Sequence, residues 1–289
     1  MSGRLVVCPT PIGNLEDVTL RVLSALREAD VVACEDTRRT RILLDRYGVK
    51  ARLVSYHEHN ERARAAELAS RMRDGAVVAL VSDAGMPLVS DPGYVLVRAC
   101  VAAGLPVEVL PGPSAAITAL VASGLPADEW HFHGFLPRKR GELRRVLAEP
   151  GETMVAFESP RRVPATLSLL AELDPDREVA VCRELTKAHE EIVRGSALEL
   201  AERYAGAPPR GEVVLVLGPR GGAGGGGAAR GGAASGAASG AGASSEPAGL
   251  DALRRLVDAG AKPRKAAAVV ASLTGASANE LYRALTSGE

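Results

Sequence analysis

The stretch from Val77 to Ala116, VVALVSDAGMPLVSDPGYVLVRACVAAGLPVEVLPGPSAA, constrains the fold more than any other part of the chain. Val77 to Val81 is a short, unbroken, largely β-branched apolar run, the pattern of a parallel strand covered on both faces. The chain then turns polar at Ser82, Asp83, Ala84 and Gly85, so a loop leaves the carboxyl edge of a sheet, where open α/β folds bind ligands. Asp91 followed by Pro92 reads as an N-cap with proline in the first turn, which predicts a helix from that point. Pro106 to Leu110 reads as a second buried strand, and Pro111, Gly112, Pro113 and Ser114 as a stiff turn into another apolar helix. The unpaired amides near Ser114 and Ala115 are expected to face whatever the Ser82–Gly85 loop holds. Two loops thus converge on one crevice.

The rest of the first half repeats this alternation. Leu5 to Cys8 reads as a buried strand, and the loop Pro9 to Asn14 leaves its end. Asp17 is expected to cap a helix that buries Val18, Val22 and Leu26. Val31 to Cys34 is a strand ending in Glu35, Asp36, Thr37 and Arg38, four polar residues that packing does not explain. With Leu53 to Tyr56, the count is five strands alternating with helices, hence an α/β domain over residues 1–113 with a parallel sheet between helical layers. From His131 the strand candidates change character, and the short turn from Lys187 to Glu190 suggests a hairpin. Residues 114–218 therefore read as a second α/β domain with a mixed sheet. Residues 219–249 read as a flexible linker, since from Gly221 to Gly249 every residue but Arg230, Glu246 and Pro247 is Gly, Ala or Ser. Residues 250–289 return to helical periodicity as a small module on that tether.

Composition narrows the class. The 35 basic residues balance the 35 acidic ones, so any case for nucleic acid rests on local clusters. There are three: Arg38, Arg39 and Arg41; Arg138, Lys139, Arg140, Arg144 and Arg145; and Arg254, Arg255, Lys262, Arg264 and Lys265. The four cysteines lie in or beside apolar runs without a CxxC, as reduced core residues do. No apolar run has signal-peptide or membrane-span length, which leads us to expect a soluble, cytoplasmic protein. No GxGxxG or GxxxxGK[ST] is present, and the pairs His57/His59 and His131/His133 have no evident further ligands, so neither a P-loop nor a metal site is expected.

The motifs PTPIGNLEDVT, EDTR, VSDAGMPLVSDPG, PGPSA, FLPRKR, FESPRR and ELTKAHEE, in this order, resemble the tetrapyrrole methylase superfamily, and within it the branch that methylates ribose in small-subunit ribosomal RNA. The resemblance runs from Leu5 to about Gly218, and residues 250–289 resemble that branch's helix-turn-helix appendage. The porphyrin and corrin branch usually has Gly-Asp-Pro where this chain has Ser82, Asp83 and Ala84. The resemblance implies a two-domain fold with S-adenosylmethionine in the cleft between the domains. It places the cofactor against Pro11, Ser82, Asp83, Ala84, Met86, Pro87, Leu88, Ser114, Ala115, Phe157, Glu158, Leu185 and Glu212. It implies a homodimer acting on the small ribosomal subunit, with the 2′-hydroxyl of a cytidine in the decoding region of 16S rRNA as substrate.

A ribose hydroxyl is a poor nucleophile until its proton leaves, so a positioned base is required. Asp36, Glu35 and Lys187 are the candidates, with Asp36 favoured for proton removal or orientation. Arg38, Arg39, Arg138, Lys139, Arg140 and Arg161 are the expected RNA contacts, Arg38 holding the adjacent phosphate. Two other readings stay open from the sequence. Methylation of a small tetrapyrrole or corrin would need a broad apolar cavity without a basic rim, and a non-catalytic RNA-binding protein on the same scaffold would turn over no cofactor.

Overall fold

The computed structural model describes residues 3–220, 253–254, 256–257, 261–274 and 277–287. Strands β1 (Arg4–Val7), β2 (Val31–Cys34), β3 (Leu53–Ser55), β4 (Val77–Val81) and β5 (Val107–Val109) form an all-parallel sheet in the order β3-β2-β4-β1-β5. Side chains alternate across it with the period of two that a pleated strand dictates. Val6, Val32, Ala79 and Val81 pack under α1 (Leu20–Glu28) and α2 (Thr37–Arg46). Leu5, Val7, Ala33, Val78 and Leu80 pack under α3 (Glu61–Arg73) and α4 (Tyr94–Ala102). The neighbours β1 and β4 send their connections in opposite directions, one to β2 and the other to β5. That is the topological switch point, and it opens a crevice at their carboxyl ends.

Three local expectations are corrected. Asp17 does not cap α1: it ends a short 3₁₀ turn, Leu15–Asp17, and Thr19 accepts the cap hydrogen bond from Val22 N–H at 3.2 Å. β5 is an edge strand with Glu108 and Val109 exposed, because β1 covers only one of its sides. Asp91 does not start α4. The helix begins at Tyr94 with Gly93 at its N-cap and no side-chain cap.

The second sheet is mixed. Strands β6 (Trp130–Phe135), β7 (Thr153–Glu158), β8 (Glu178–Arg183), β9 (Glu191–Ser196) and β10 (Val213–Leu217) run in the order β6-β7-β10-β8-β9, with only β6 and β7 parallel. Helix α5 (Ala115–Ser123) follows the first sheet in sequence but packs on the second, through Ala116, Ala119 and Leu120 against Val155, Ala180 and Val216. The opposite face is covered by α6 (Arg140–Ala148), α7 (Val163–Leu173) and α8 (Ala197–Tyr204). Ile12, from the loop after β1, belongs to the core layer of the second sheet, so the two sheets share apolar contact where the crevice closes.

Everything described through Arg220 makes one compact unit. Arg220 is held rather than free: its backbone bridges Gly151 in both directions and its guanidinium donates to the carbonyls of Ala148 and Leu173. Residues 221–249 of the expected linker lie outside the described residues. In the second unit, α9 (Pro263–Thr274) and α10 (Ala278–Ser287) gather around Leu253, Ala266, Ala267 and Val270, with Val257, Tyr282 and Leu285 partly buried against them. Among the described residues no helix is long and apolar enough to cross a membrane.

Candidate active site

The loops after β1 and β4 are clamped together at the crevice. Thr10 and Gly85 exchange both backbone hydrogen bonds at 2.9 Å, and Thr10 Oγ1 donates to the Ser82 carbonyl at 3.0 Å. Ser82 Oγ in turn donates to the Gly85 carbonyl at 3.1 Å. Beyond this clamp the β4 loop is strained: Leu88 and Ser90 have φ of 73° and 65°, left-handed values that cost a non-glycine residue about 1–2 kcal/mol. Such strain persists only where surrounding structure imposes it, and it gathers at functional sites.

The second sheet closes on the first at Gly13. A Cβ there would lie 2.5 Å from Lys187 Cγ and 2.7 Å from Thr186 Oγ1, so only glycine allows the approach. Asn14 N–H donates to Thr186 Oγ1 at 2.9 Å, sealing the contact. Thr186 and Glu184 also have positive φ, 64° and 51°, so the turn after β8 is strained on the opposite wall.

Between these walls lies a cavity of about 410 Å³. Ile12, Ala84, Gly85, Met86, Val89, Ser90, Asp91, Ser114 and Ala115 line it from one side, and Phe135, Phe157, Glu158, Ser159, Pro160, Cys182, Leu185 and residues 211–214 from the other. Of the expected cofactor contacts, Ala84, Met86, Ser114, Ala115, Phe157, Glu158, Leu185 and Glu212 are thus brought together from both sheets. Pro11, Ser82, Asp83, Pro87 and Leu88 sit on the same loops without lining the cavity. Ser82 serves the loop clamp, and Asp83 Oδ1 accepts from Asp36 N–H at 2.9 Å while Oδ2 lies 3.6 Å from Arg39 Nε, tying the β4 loop to the start of α2. Asp91, Ser90, Val89, Ile12 and Phe135 escaped the sequence reading. The Asp91-Pro92 pair resembles a helix start, which masked it.

The carboxylates differ sharply in their commitments. Glu158 is 3% exposed; one oxygen accepts from Ser159 N–H at 2.7 Å, the other from Thr166 Oγ1 at 2.7 Å, and Arg162 lies 3.3 Å away. Asp36 caps α2, accepting from Arg38 N–H at 2.8 Å, and pairs with the Arg38 guanidinium at 2.7 Å. Those Arg38 hydrogen bonds bring its carboxyl down to about 2. Burial, and then the charge of Asp83, push Glu35 up. Asp91 is pushed from 3.8 to about 6, first by burial and then by Glu35. Lys187 Nζ contacts Glu184 at 2.9 Å and Glu212 at 3.0 Å. Burial works to lower its pKa, and the two carboxylates outweigh burial, so it is raised and the amine stays charged.

The rim is basic and aromatic. Arg162 donates to the carbonyls of Leu136 and Pro137, which fastens the loop carrying Arg138 and Lys139 to the loop carrying Arg161. Arg138 and Arg161 are exposed. Arg140 is spent on Glu172 at 3.0 Å, and Lys139 faces Glu142 at 3.3 Å. In the first turn of α2, Arg38 is 89% exposed. All three phenylalanines of the chain meet here, Phe132 on Phe157 at 4.9 Å and Phe135 on Phe157 at 5.4 Å, edge to face. Phe135 is 65% exposed.

A cleft of this size, apolar on its walls and carrying a few fixed carboxylates and helix-end amides, suits an adenosine-bearing cation. Among the described residues no group of three or more His, Cys, Asp or Glu could hold a metal ion.

A family profile described as Tetrapyrrole (Corrin/Porphyrin) Methylases matches residues 4–201. A protein of Mesorhizobium japonicum named ribosomal RNA small subunit methyltransferase I is 44% identical over 99% of this chain and 94% of its own length. A Thermotoga maritima protein of the same name is 45% identical over 217 residues, 74% of this chain and 98% of the relative. Among solved structures, uroporphyrin-III C-methyl transferase of Thermus thermophilus complexed with S-adenyl homocysteine is 24% identical, with a TM-score of 0.53 over 75% of this chain and 97% of that one.

Proposed function

The chain belongs to the tetrapyrrole methylase family, and on that premise we propose that it is an S-adenosylmethionine-dependent methyltransferase acting on small-subunit ribosomal RNA. The observation that carries this reading is the 44% identity along nearly the whole chain to a protein of that name. The finer assignment is methylation of the 2′-hydroxyl of a cytidine in the decoding region of 16S rRNA, in the cytoplasm, by a homodimer. The exposed Arg38, Arg138 and Arg161 and the exposed ring of Phe135 support a nucleic-acid substrate, because phosphates want guanidinium groups and an unstacked base wants an aromatic face. The exposed apolar side chains Tyr94, Val101, Ile117 and Val121 support a subunit interface.

The geometry supports a division of labour. The sulfonium cofactor, when bound, supplies an electrophilic methyl group and departs as a neutral thioether. Ile12, Met86, Val89 and Leu185 give apolar walls for its adenosine, and the amides of Ser114 and Ala115 give donors at the N-terminus of α5. The Thr10–Gly85 clamp and the Gly13–Thr186 approach hold both walls in one register. Holding the reacting atoms in attack geometry is worth about 7–11 kcal/mol of the barrier. Asp36, fixed between α2 and Arg38, is suited to orient the Arg38 guanidinium toward a phosphate.

The test is incubation of the full chain with labelled S-adenosylmethionine and small subunits lacking the modification, followed by mapping of the label. Label on a ribose of 16S rRNA is the expected result. Unlabelled RNA together with a labelled tetrapyrrole would overturn it. In the same series, Asp83→Ala should weaken cofactor binding by calorimetry, since it unties the β4 loop from α2.

A further inference from the structure

Three carboxylates line the cavity: Asp91, Glu158 and Glu212. Glu158 is saturated by Ser159, Thr166 and Arg162, and Glu212 is paired with Lys187. Asp91 faces no cation among the described residues and accepts no backbone hydrogen bond there. The Ser82 hydroxyl lies beside it, but its single proton is already directed at the Gly85 carbonyl. It is also the carboxylate that the strained loop delivers: the left-handed turn at Ser90 immediately precedes it, and α4 starts three residues later without using it as a cap.

We propose that Asp91 is the catalytic base that receives the proton of the ribose 2′-hydroxyl. This rests on reading the chain as a ribose methyltransferase. The proton passes to a carboxylate oxygen of Asp91 as the ribose oxygen bonds to the methyl carbon. The electron pair of the broken carbon–sulfur bond stays on sulfur, leaving an ether, a neutral thioether and a carboxylic acid.

The surroundings fit this task better than those of the other candidates: Glu35, though also pushed up by burial, does not line the cavity. A base is most effective when its conjugate acid titrates near the working pH, and the burial of Asp91 beside Glu35 and Asp83 moves it that way. Asp36 is held far lower by Arg38 and is a weak base. Lys187 is kept protonated by two carboxylates. The charged groups around Asp91 on the first-sheet side are Glu35 and Asp83, with Arg39, His57 and Asp36 acting in turn on Glu35. Across the cavity stand Glu158, paired with Arg162, and Glu212, which shares Lys187 with Glu184.

The experiment compares the wild-type chain with Asp91→Asn on undermethylated small subunits. The variant should lose about 10²- to 10⁴-fold in kcat while KM for the subunit and affinity for S-adenosylhomocysteine stay within about twofold. Wild-type kcat/KM should rise along an acidic limb near pH 6 that the variant lacks. If the wild type labels no RNA, the functional reading fails first. If it labels RNA and the variant keeps wild-type turnover with the same limb, Asp91 is not the base. A third outcome also overturns the proposal: weakened binding of S-adenosylmethionine with unchanged binding of the neutral S-adenosylhomocysteine would make Asp91 a sulfonium contact. Independently of activity, the Asp91 carboxyl carbon of the ligand-free wild type should titrate near pH 6 by NMR. A midpoint at or below 4 would refute the assignment whether or not the variant folds.

Discussion

Replacing Asp91 by Asn should stabilise the protein, and increasingly so as pH rises. The carboxyl titrates at about 6 in the folded chain against 3.8 for an ordinary aspartate. A raised carboxyl pKa means that the folded state holds its proton more tightly than the unfolded state does. Stability is therefore full below about pH 4 and falls as pH climbs through 6, the reverse of a salt-bridged aspartate. At about 1.4 kcal/mol per pH unit the full displacement amounts to ~3 kcal/mol above pH 7. Asp91 is only partly buried, and solvent screening cuts this to about 1–2 kcal/mol. Asn carries no charge at any pH and keeps the shape. The assay is urea unfolding at pH 4.5, 6 and 8, followed by fluorescence of Trp130, the single tryptophan, which lies in β6 of the first unit and reports that unit. The gap between variant and wild type should be smallest at pH 4.5, where only part of the displacement has acted, and widen to about 1–2 kcal/mol at pH 8. A variant less stable than wild type at pH 8, or a gap that does not widen with pH, would show that Asp91 is an ionised, well-solvated or paired residue.

Glu158→Ala should cost about 3–5 kcal/mol, because it leaves Arg162 without its carboxylate and Thr166 and Ser159 without an acceptor in a buried place; thermal unfolding checks this, and a loss under 1 kcal/mol would contradict the buried network. Gly13→Val should cost about 1–3 kcal/mol and weaken S-adenosylhomocysteine binding in calorimetry, since the new side chain pushes against Lys187 and Thr186 where the two walls meet. Asp36→Asn should lower turnover with cofactor affinity nearly unchanged, and its effect should be constant from pH 5 to 9 because the wild-type carboxyl is ionised throughout that range. Removing residues 221–289 should weaken RNA affinity and flatten its salt dependence in filter binding with kcat at saturation little altered, given that a relative about the size of the first unit is 45% identical over 98% of its length. Unchanged affinity and salt slope would assign the α9–α10 unit another task.

The periodicity of this chain determines a great deal unaided. Unbroken apolar, valine-rich runs at Val31–Cys34 and Val77–Val81 read as strands buried on both faces, and their alternation with amphipathic helices leaves a parallel sheet as the outcome. The loops at Ser82–Gly85 and Pro111–Ser114 were legible as cavity walls for the same reason, since a ligand site at the carboxyl edge follows from strand direction alone. The motifs carry the family. What tertiary structure decides is how individual carboxylates are used. Asp91 followed by Pro92 has the local chemistry of a helix cap. The helix nevertheless starts at Tyr94, because the chain must first turn through Leu88 and Ser90, and Gly93 takes a φ of 144°, a backbone conformation that suits glycine. Glu158 looks like a crevice residue in sequence, and it is silenced by Thr166 and Arg162, partners that come within reach only when α7 folds back on β7. The meeting of Gly13 with Thr186 joins segments 172 or more residues apart. Local preference reports what a residue can do with its neighbours in sequence. Its charge state and partners depend on burial and distance, and those exist only once the two sheets have closed on each other.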